Sequence, residues 1–226
     1  MRFLLFDIDG TLIDSGGAGI RALNHAFEDM FSVPDAFRTV SMAGKTDLQI
    51  VKEGMTIHGL VSSNGIIPEF FDHYIEHLKK NIDPSRGHLK AGIREALETL
   101  SHFGNMHTGL LTGNIEQGAM LKLEAFGIAG YFDIGAFGNE DEDRNSLLPI
   151  AVKKLRERRA VTVDYSNCVI IGDTPRDVEC AKPYGAYTIG VATGPYSSES
   201  LVSAGADVVF QDLSDTERFI DALKNV

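Results

Sequence analysis

The sequence predicts an α/β protein: a parallel sheet with helices on both faces, and a helical segment inserted after the first strand. Three observations predict it. Short apolar runs alternate with helix-length segments over most of the chain, the pattern of a parallel sheet covered on both sides. The runs are short, nearly continuously apolar and bounded by Gly, Asp, Thr or Asn, as strands buried on both faces are. Between about residues 15 and 86 the alternation stops and only helical patterns remain.

The elements follow in order. Arg2 to Phe6 (RFLLF) is the first strand candidate, with His107 to Leu111, Cys168 to Ile171, Tyr187 to Val191 and Asp207 to Phe210 after it. Helical patterns fall between them at Gly92 to Phe103, Ile115 to Phe126, Leu147 to Arg158 and Arg176 to Tyr184. The insertion reads as helices at Ile20 to Phe31, Thr46 to His58 and Pro68 to Asn81, with hinges near Asp14 to Gly19 and Asn81 to His88. The predicted division is a core of 1–14 and 87–226 with a helical unit at 15–86. In open sheets of this kind ligands bind outside the carboxyl ends of the strands. There is no internal repeat.

Composition narrows the function classes. The 226 residues carry a formal charge of -11, with 43% hydrophobic and 23% charged residues, which is ordinary for a soluble globular protein. The acidic balance argues against nucleic acid as a partner, since such binding relies on Lys and Arg. It does not exclude a small anionic substrate, because a bound divalent cation inverts the local field. The opening MRFLLFDIDG is too short an apolar stretch for a signal-peptide core or a membrane span, and no other apolar run approaches membrane length. Cys168 and Cys180 are too few for a disulfide framework. A reduced, cytoplasmic setting is expected. Nothing in the sequence specifies an oligomeric state.

Two acidic clusters carry the chemistry. Asp7-Ile8-Asp9-Gly10-Thr11-Leu12 follows the first strand, and alternation sends Asp7 and Asp9 to one side with Ile8 between. Paired carboxylates repel unless a cation or a shared proton relieves them. A hard cation with oxygen ligands fits, and magnesium keeps sites for water and phosphate oxygens. Gly10 allows a sharp turn. The plainer reading is a capped strand-to-turn junction. Gly172-Asp173-Thr174-Pro175-Arg176-Asp177 also follows an apolar run and opens a helix. Here the plainer reading makes Thr174-Pro175 a helix start and Asp177 a helix-terminus charge, but it leaves Asp173 unexplained. Leu110-Leu111-Thr112-Gly113-Asn114 ends another strand; Thr112 offers a hydroxyl, and the Gly113 and Asn114 amides offer an anion site. A capped helix start at Asn114 explains the same letters equally well.

These motifs, in this order and at these strand ends, resemble the haloacid dehalogenase superfamily, and the likeness spans the whole chain. It is greatest to phosphoglycolate-phosphatase-like members, which carry a helical cap on a Rossmann-like core. The resemblance implies that Asp7 is the nucleophile and a ligand of Mg2+, and that Asp9 is the general acid and base and offers its backbone carbonyl to the metal. It further implies that Thr112 binds the transferring phosphoryl group and that Asp173 is a metal ligand with Asp177 in support. Members usually present a Lys, often followed by Pro, before the last motif; here Arg144 has about the right spacing, with Lys153 and Lys154 as alternatives inside a helix. Ala43-Gly44-Lys45-Thr46-Asp47 looks like the family's substrate loop, which makes Lys45 a candidate contact along with Gly10, Gly113 and Asn114. A loop ending in a Thr46 helix cap accounts for that segment too.

The expected activity is magnesium-dependent hydrolysis of a small phosphorylated metabolite through an aspartyl phosphate. A second aspartate at Asp9 disfavours carbon–halogen chemistry, where the leaving halide needs no proton. A phosphosugar mutase would use the same residues, and a non-catalytic phosphate-binding or partner-binding protein is the remaining alternative. His73 and His77 have a metal-compatible spacing but no third ligand in the sequence nearby, so they are expected on a solvated face.

Overall fold

A computed structural model describes residues 1–62 and 65–226. Six strands form one parallel sheet in the order β5-β4-β1-β6-β7-β8. They are β1 (Arg2–Phe6), β4 (Met106–Leu111), β5 (Gly135–Ala136), β6 (Cys168–Gly172), β7 (Tyr187–Val191) and β8 (Val208–Phe210), while β2 (Ile13–Asp14) and β3 (His88–Leu89) make a separate antiparallel ribbon. The helices are α1 (Ala18–Phe31), α2 (Asp47–Ile57), α3 (Ile66–Asn81), α4 (Ile93–Ser101), α5 (Glu116–Ala125), α6 (Leu147–Arg159), α7 (Pro175–Ala181), α8 (Ser198–Ala204) and α9 (Thr216–Lys224).

Strand β1 lies between β4 and β6, with Phe6 beside Leu110 on one side and Ile171 on the other. Its alternating side chains supply two cores: Leu4 and Phe6 pack with α4, α5 and α9, while Phe3 and Leu5 pack with α6 and α7. Each fully buried side chain of this size contributes roughly 1.5–3 kcal/mol, which is why a strand of five residues suffices at the centre. Helices α1 to α3 build a third apolar cluster of their own, around Phe27, Phe37 and Phe70.

The ribbon of β2 and β3 joins the two crossings of the chain between the sheet and these helices. Asp14 pairs with His88 and Ile13 with Leu89, flanking the predicted hinges, where the sequence shows no strand pattern because each partner is only two residues long. The other unpredicted elements are β5, also two residues long, and the helices α8 and α9 near the end of the chain.

Candidate active site

The motifs converge at the carboxyl ends of β1, β4 and β6. After Phe6 the ladder continues for one more bond, from the Asp7 amide to the Ile171 carbonyl at 2.9 Å. Ile8 then turns into the core while Asp7 and Asp9 line one cavity. Gly10, at φ 88°, turns the chain, and a Cβ at that position would fall on the Asp173 carboxylate. A side chain here is therefore excluded twice, by backbone conformation and by space.

Asp7 is buried, with the Arg144 guanidinium 3.2 Å from its Oδ1. Arg144 also donates to Asp177 Oδ1 at 2.5 Å and to the Leu111 carbonyl at 3.2 Å. Neither lysine alternative reaches the site: Lys153 is exposed beside Glu157, and Lys154 bonds Glu140 and the Gly135 carbonyl. Asp177 has two sets of partners, one on each carboxylate oxygen. Its Oδ2 accepts from the Thr174 amide and hydroxyl in a capping box at the start of α7, and its Oδ1 holds Arg144. Asp173, 1% exposed, accepts from the Thr11 hydroxyl at 2.8 Å.

Asp7, Asp173 and Asp177 bring carboxylate oxygens within 4.8 Å of one another. Burial raises the Asp7 carboxyl to about 6, with Arg144 opposing and Asp177 adding to the rise. Burial, followed by the charges of Asp177 and Asp7, pushes Asp173 well above the usual carboxylate range. An all-oxygen donor set in which burial disfavours the anionic forms of Asp7 and Asp173 fits a hard divalent cation. Asp7 and Asp173 keep oxygens for one, whereas Asp177 is engaged by Thr174 and Arg144.

The other side of the cavity is built on Asp9. Its Oδ2 accepts from Lys122 Nζ at 2.5 Å and Asn114 Nδ2 at 2.9 Å, and Lys122 also donates to Asn114 Oδ1 at 2.6 Å. Desolvation under the helices raises the Asp9 carboxyl, but the Lys122 ammonium and the hydrogen bonds from Lys122, Asn114 and Ser15 outweigh it, and the net shift is downward. Asp9 is thus held as a carboxylate, where the sequence reading has it enter the reaction protonated. Asn114 does not cap α5, whose N-cap is Ile115 without a side-chain bond; its side chain instead ties Asp9, Thr112 and Lys122 together.

Loop 42–46 closes the cavity from above. Thr46 caps α2 and donates to the Glu142 carbonyl, Asp47 N–H bonds the Gly113 carbonyl at 2.7 Å, and Asp47 Oδ2 accepts from the Ile115 amide at 2.9 Å. Lys45 lies on the cavity wall with its ammonium paired to Glu53 of α2. The cavity measures about 300 Å³, and Ile20, Leu23, Met42, Ile50 and Tyr74 add apolar side chains to its lining.

Sequence reasoning missed Lys122 and Tyr74. The signal for Lys122 was present: it falls on the stripe Gly118, Ala119, Lys122, Leu123 that α5 buries, a place where a lysine demands a partner. Tyr74 lies on the buried stripe Phe70, Tyr74, Leu78 of α3 and reads as ordinary core. His73 and His77 flank Asp29 of α1 on the outer face of the helices, at 3.8 and 2.6 Å.

Fold and site together define a parallel-sheet protein with an acidic, cation-compatible centre at the strand ends, covered by inserted helices. Residues 4–191 match the haloacid dehalogenase-like hydrolase family, and the chain belongs to it. It is 25% identical to the phosphoglycolate phosphatase of Agrobacterium fabrum over 93% of this chain and 88% of the relative. Among solved structures, a hydrolase from Pseudomonas syringae superposes with a TM-score of 0.72 at 22% identity, covering 99% of both chains. A predicted phosphatase from Clostridium acetobutylicum gives 0.71 at 21% identity, covering 97% of this chain and 98% of its own. At those identities the two structures establish the fold alone.

Proposed function

We propose that this chain is a magnesium-dependent phosphatase that passes the phosphoryl group of a small metabolite to Asp7 and then to water, with phosphoglycolate-type esters as its substrates. The observation that supports it most is the contrast between the two cavity carboxylates. Asp7 is buried beside Arg144 and Thr112, while Asp9 faces the same space held by Lys122 and Asn114. Two carboxylates in different electrostatic settings suit a nucleophile and an acid–base group.

In this reading the phosphoryl group lies against Asp7, with Arg144, Thr112 and the Gly113 and Asn114 amides around its oxygens. Asp7 attacks phosphorus and the ester oxygen leaves with the proton of the Asp9 carboxyl. The dianionic substrate beside Asp9 is what raises that carboxyl enough to carry the proton, since a like charge favours the neutral form. Asp9 then takes a proton from the water that attacks the aspartyl phosphate. Asp7, Asp173 and the Asp9 carbonyl would hold magnesium, which supplies charge neutralisation at the phosphoryl oxygens. Residues 15–86 act as the cap that excludes bulk water. Lys45, tied to Glu53, contributes to the cavity wall.

The test is phosphate release from 2-phosphoglycolate with magnesium, with EDTA, and in Asp7→Asn. Release that needs the ion and is lost in the variant is the expected result. Activity that survives both changes overturns the mechanism; transfer from a bisphosphorylated sugar without net phosphate release would make the chain a mutase.

A further inference from the structure

Two hydrogen-bond donors in the cavity are left over once the roles above are assigned, and both face the leaving-group side. Lys122 is 3% exposed and carries three N–H bonds. Asp9 and Asn114 accept from it, at 2.5 and 2.6 Å, and among the described residues it makes no third hydrogen bond, although the Asp47 carboxylate lies within range of its charge. Tyr74, 1% exposed, reaches the same cavity from α3, and its hydroxyl has no hydrogen bond among the described residues. A tyrosine hydroxyl buried to this degree ordinarily has a partner.

The two donors converge. A Cβ built on Gly19 of α1 would stand 3.3 Å from Lys122 Nζ and 3.9 Å from the Tyr74 hydroxyl. Gly19 therefore keeps open, in the first turns of a helix where alanine would be the better helix former, a spot within reach of both. The spot adjoins Asp9, because Lys122 touches Asp9 Oδ2. Asp47, the other carboxylate in the cavity wall, is engaged by the Ile115 amide.

We propose that Lys122, Tyr74 and the space over Gly19 form a leaving-group subsite for phosphomonoesters that carry an acceptor oxygen, a carboxylate foremost, on the carbon next to the ester carbon. The subsite rests on the phosphatase reading. With the phosphoryl group on Asp7 and the ester oxygen at Asp9, such an acceptor falls between the ammonium and the hydroxyl. A carboxylate gains most, since bonds from a charged donor to a charged acceptor are the strong ones. Substrates without an acceptor leave two buried donors unpaired, which is how a polar pocket rejects an analogue that lacks one group.

The experiment compares kcat/KM for 2-phosphoglycolate and ethyl phosphate, which differ by carboxylate against methyl, in wild type, Tyr74→Phe, Gly19→Ala and Lys122→Met with magnesium present. The ratio cancels effects common to both esters, including any disturbance of Asp9. Wild type is expected to favour phosphoglycolate, and each variant to reduce the ratio by about tenfold or more. Gly19→Ala favours the helix and Tyr74→Phe keeps the ring, so two of the three variants preserve the fold. Hydrolysis of both esters with a ratio unchanged in Tyr74→Phe and Gly19→Ala overturns the subsite and leaves the phosphatase standing. Failure of wild type to hydrolyse either ester, or p-nitrophenyl phosphate, overturns both.

Discussion

The two sides of the cavity are built on different principles. On the side proposed to take the phosphoryl group, Asp7 and Asp173 at the ends of β1 and β6 and Asp177 at the start of α7 stand around Arg144, buried and mutually repelling. On the leaving-group side, Asp9 is compensated by Lys122 from α5 and covered by Tyr74 from α3 and the loop before α2. The first is a buried cluster of three carboxylates around one guanidinium, whose surplus negative charge suits a cation. The second is electrostatically balanced and draws its residues from three helices and a loop. The first depends on strand ends that a single sheet fixes together; the second depends on how α5 beside the sheet, which carries Lys122, meets α3 of the insertion, which carries Tyr74.

The largest expected effect breaks the phosphoryl side. Asp7→Asn removes the proposed nucleophile while keeping the shape, and kcat for phosphate release should fall by about ten-thousandfold or more. The same substitution should leave the fold intact in circular dichroism, because it also removes one of the mutually repelling carboxylates.

Next in size is the removal of the central cation. Arg144→Met leaves Asp177 and Asp7 without their shared partner, and breaking a buried ion pair from one side costs about 3–5 kcal/mol. Urea denaturation in EDTA should report a loss in that range. A loss under about 1 kcal/mol would mean that Arg144 does not compensate the cluster.

On the leaving-group side the expected effect is smaller. Lys122→Met should lower kcat for alkyl esters by about ten- to a hundredfold, in line with the worth of a charge-assisted hydrogen bond, and much less for p-nitrophenyl phosphate, whose leaving group needs little protonation. Equal losses on both esters would place the role of Lys122 in folding rather than in holding Asp9.

The smallest effect sharpens the contrast at the seam. Burial raises Asp47 from 3.8 to about 6, against the opposing charge of Lys122. Because the folded value lies above the unfolded one, Asp47 favours the folded state fully below about pH 4, and that contribution is lost as pH rises through about 6. Asp47→Asn keeps an acceptor for the Ile115 amide and removes the titration. Thermal melts should therefore show a shallower loss of stability from pH 4 to 7 in the variant, by on the order of 1–2 kcal/mol. Parallel pH profiles would contradict the assignment.

The sequence revealed these two sides unequally, for a physical reason. Asp7, Asp9 and Asp173 follow apolar runs directly, and a strand end announces itself in consecutive letters. Arg144 was reachable by spacing, and the structure brings it to Asp7 while Lys153 and Lys154 point elsewhere. The pairing of Asp9 with Lys122 joins residues 113 positions apart, and Lys122 and Tyr74 sit on helix stripes that look like core. The strand order of the sheet, likewise, depends on pairings across the chain that no local pattern carries. The β2–β3 ribbon and β5 escaped because two-residue strands have no period to detect.

The most direct test of the central claim is an acid quench of the reaction with a ³²P-labelled phosphomonoester, magnesium present, in wild type and Asp7→Asn. The account predicts that labelled protein accumulates within the first turnover in wild type, that the label maps to Asp7, and that the variant carries none. Turnover without labelled protein, or label that persists in Asp7→Asn, would contradict it.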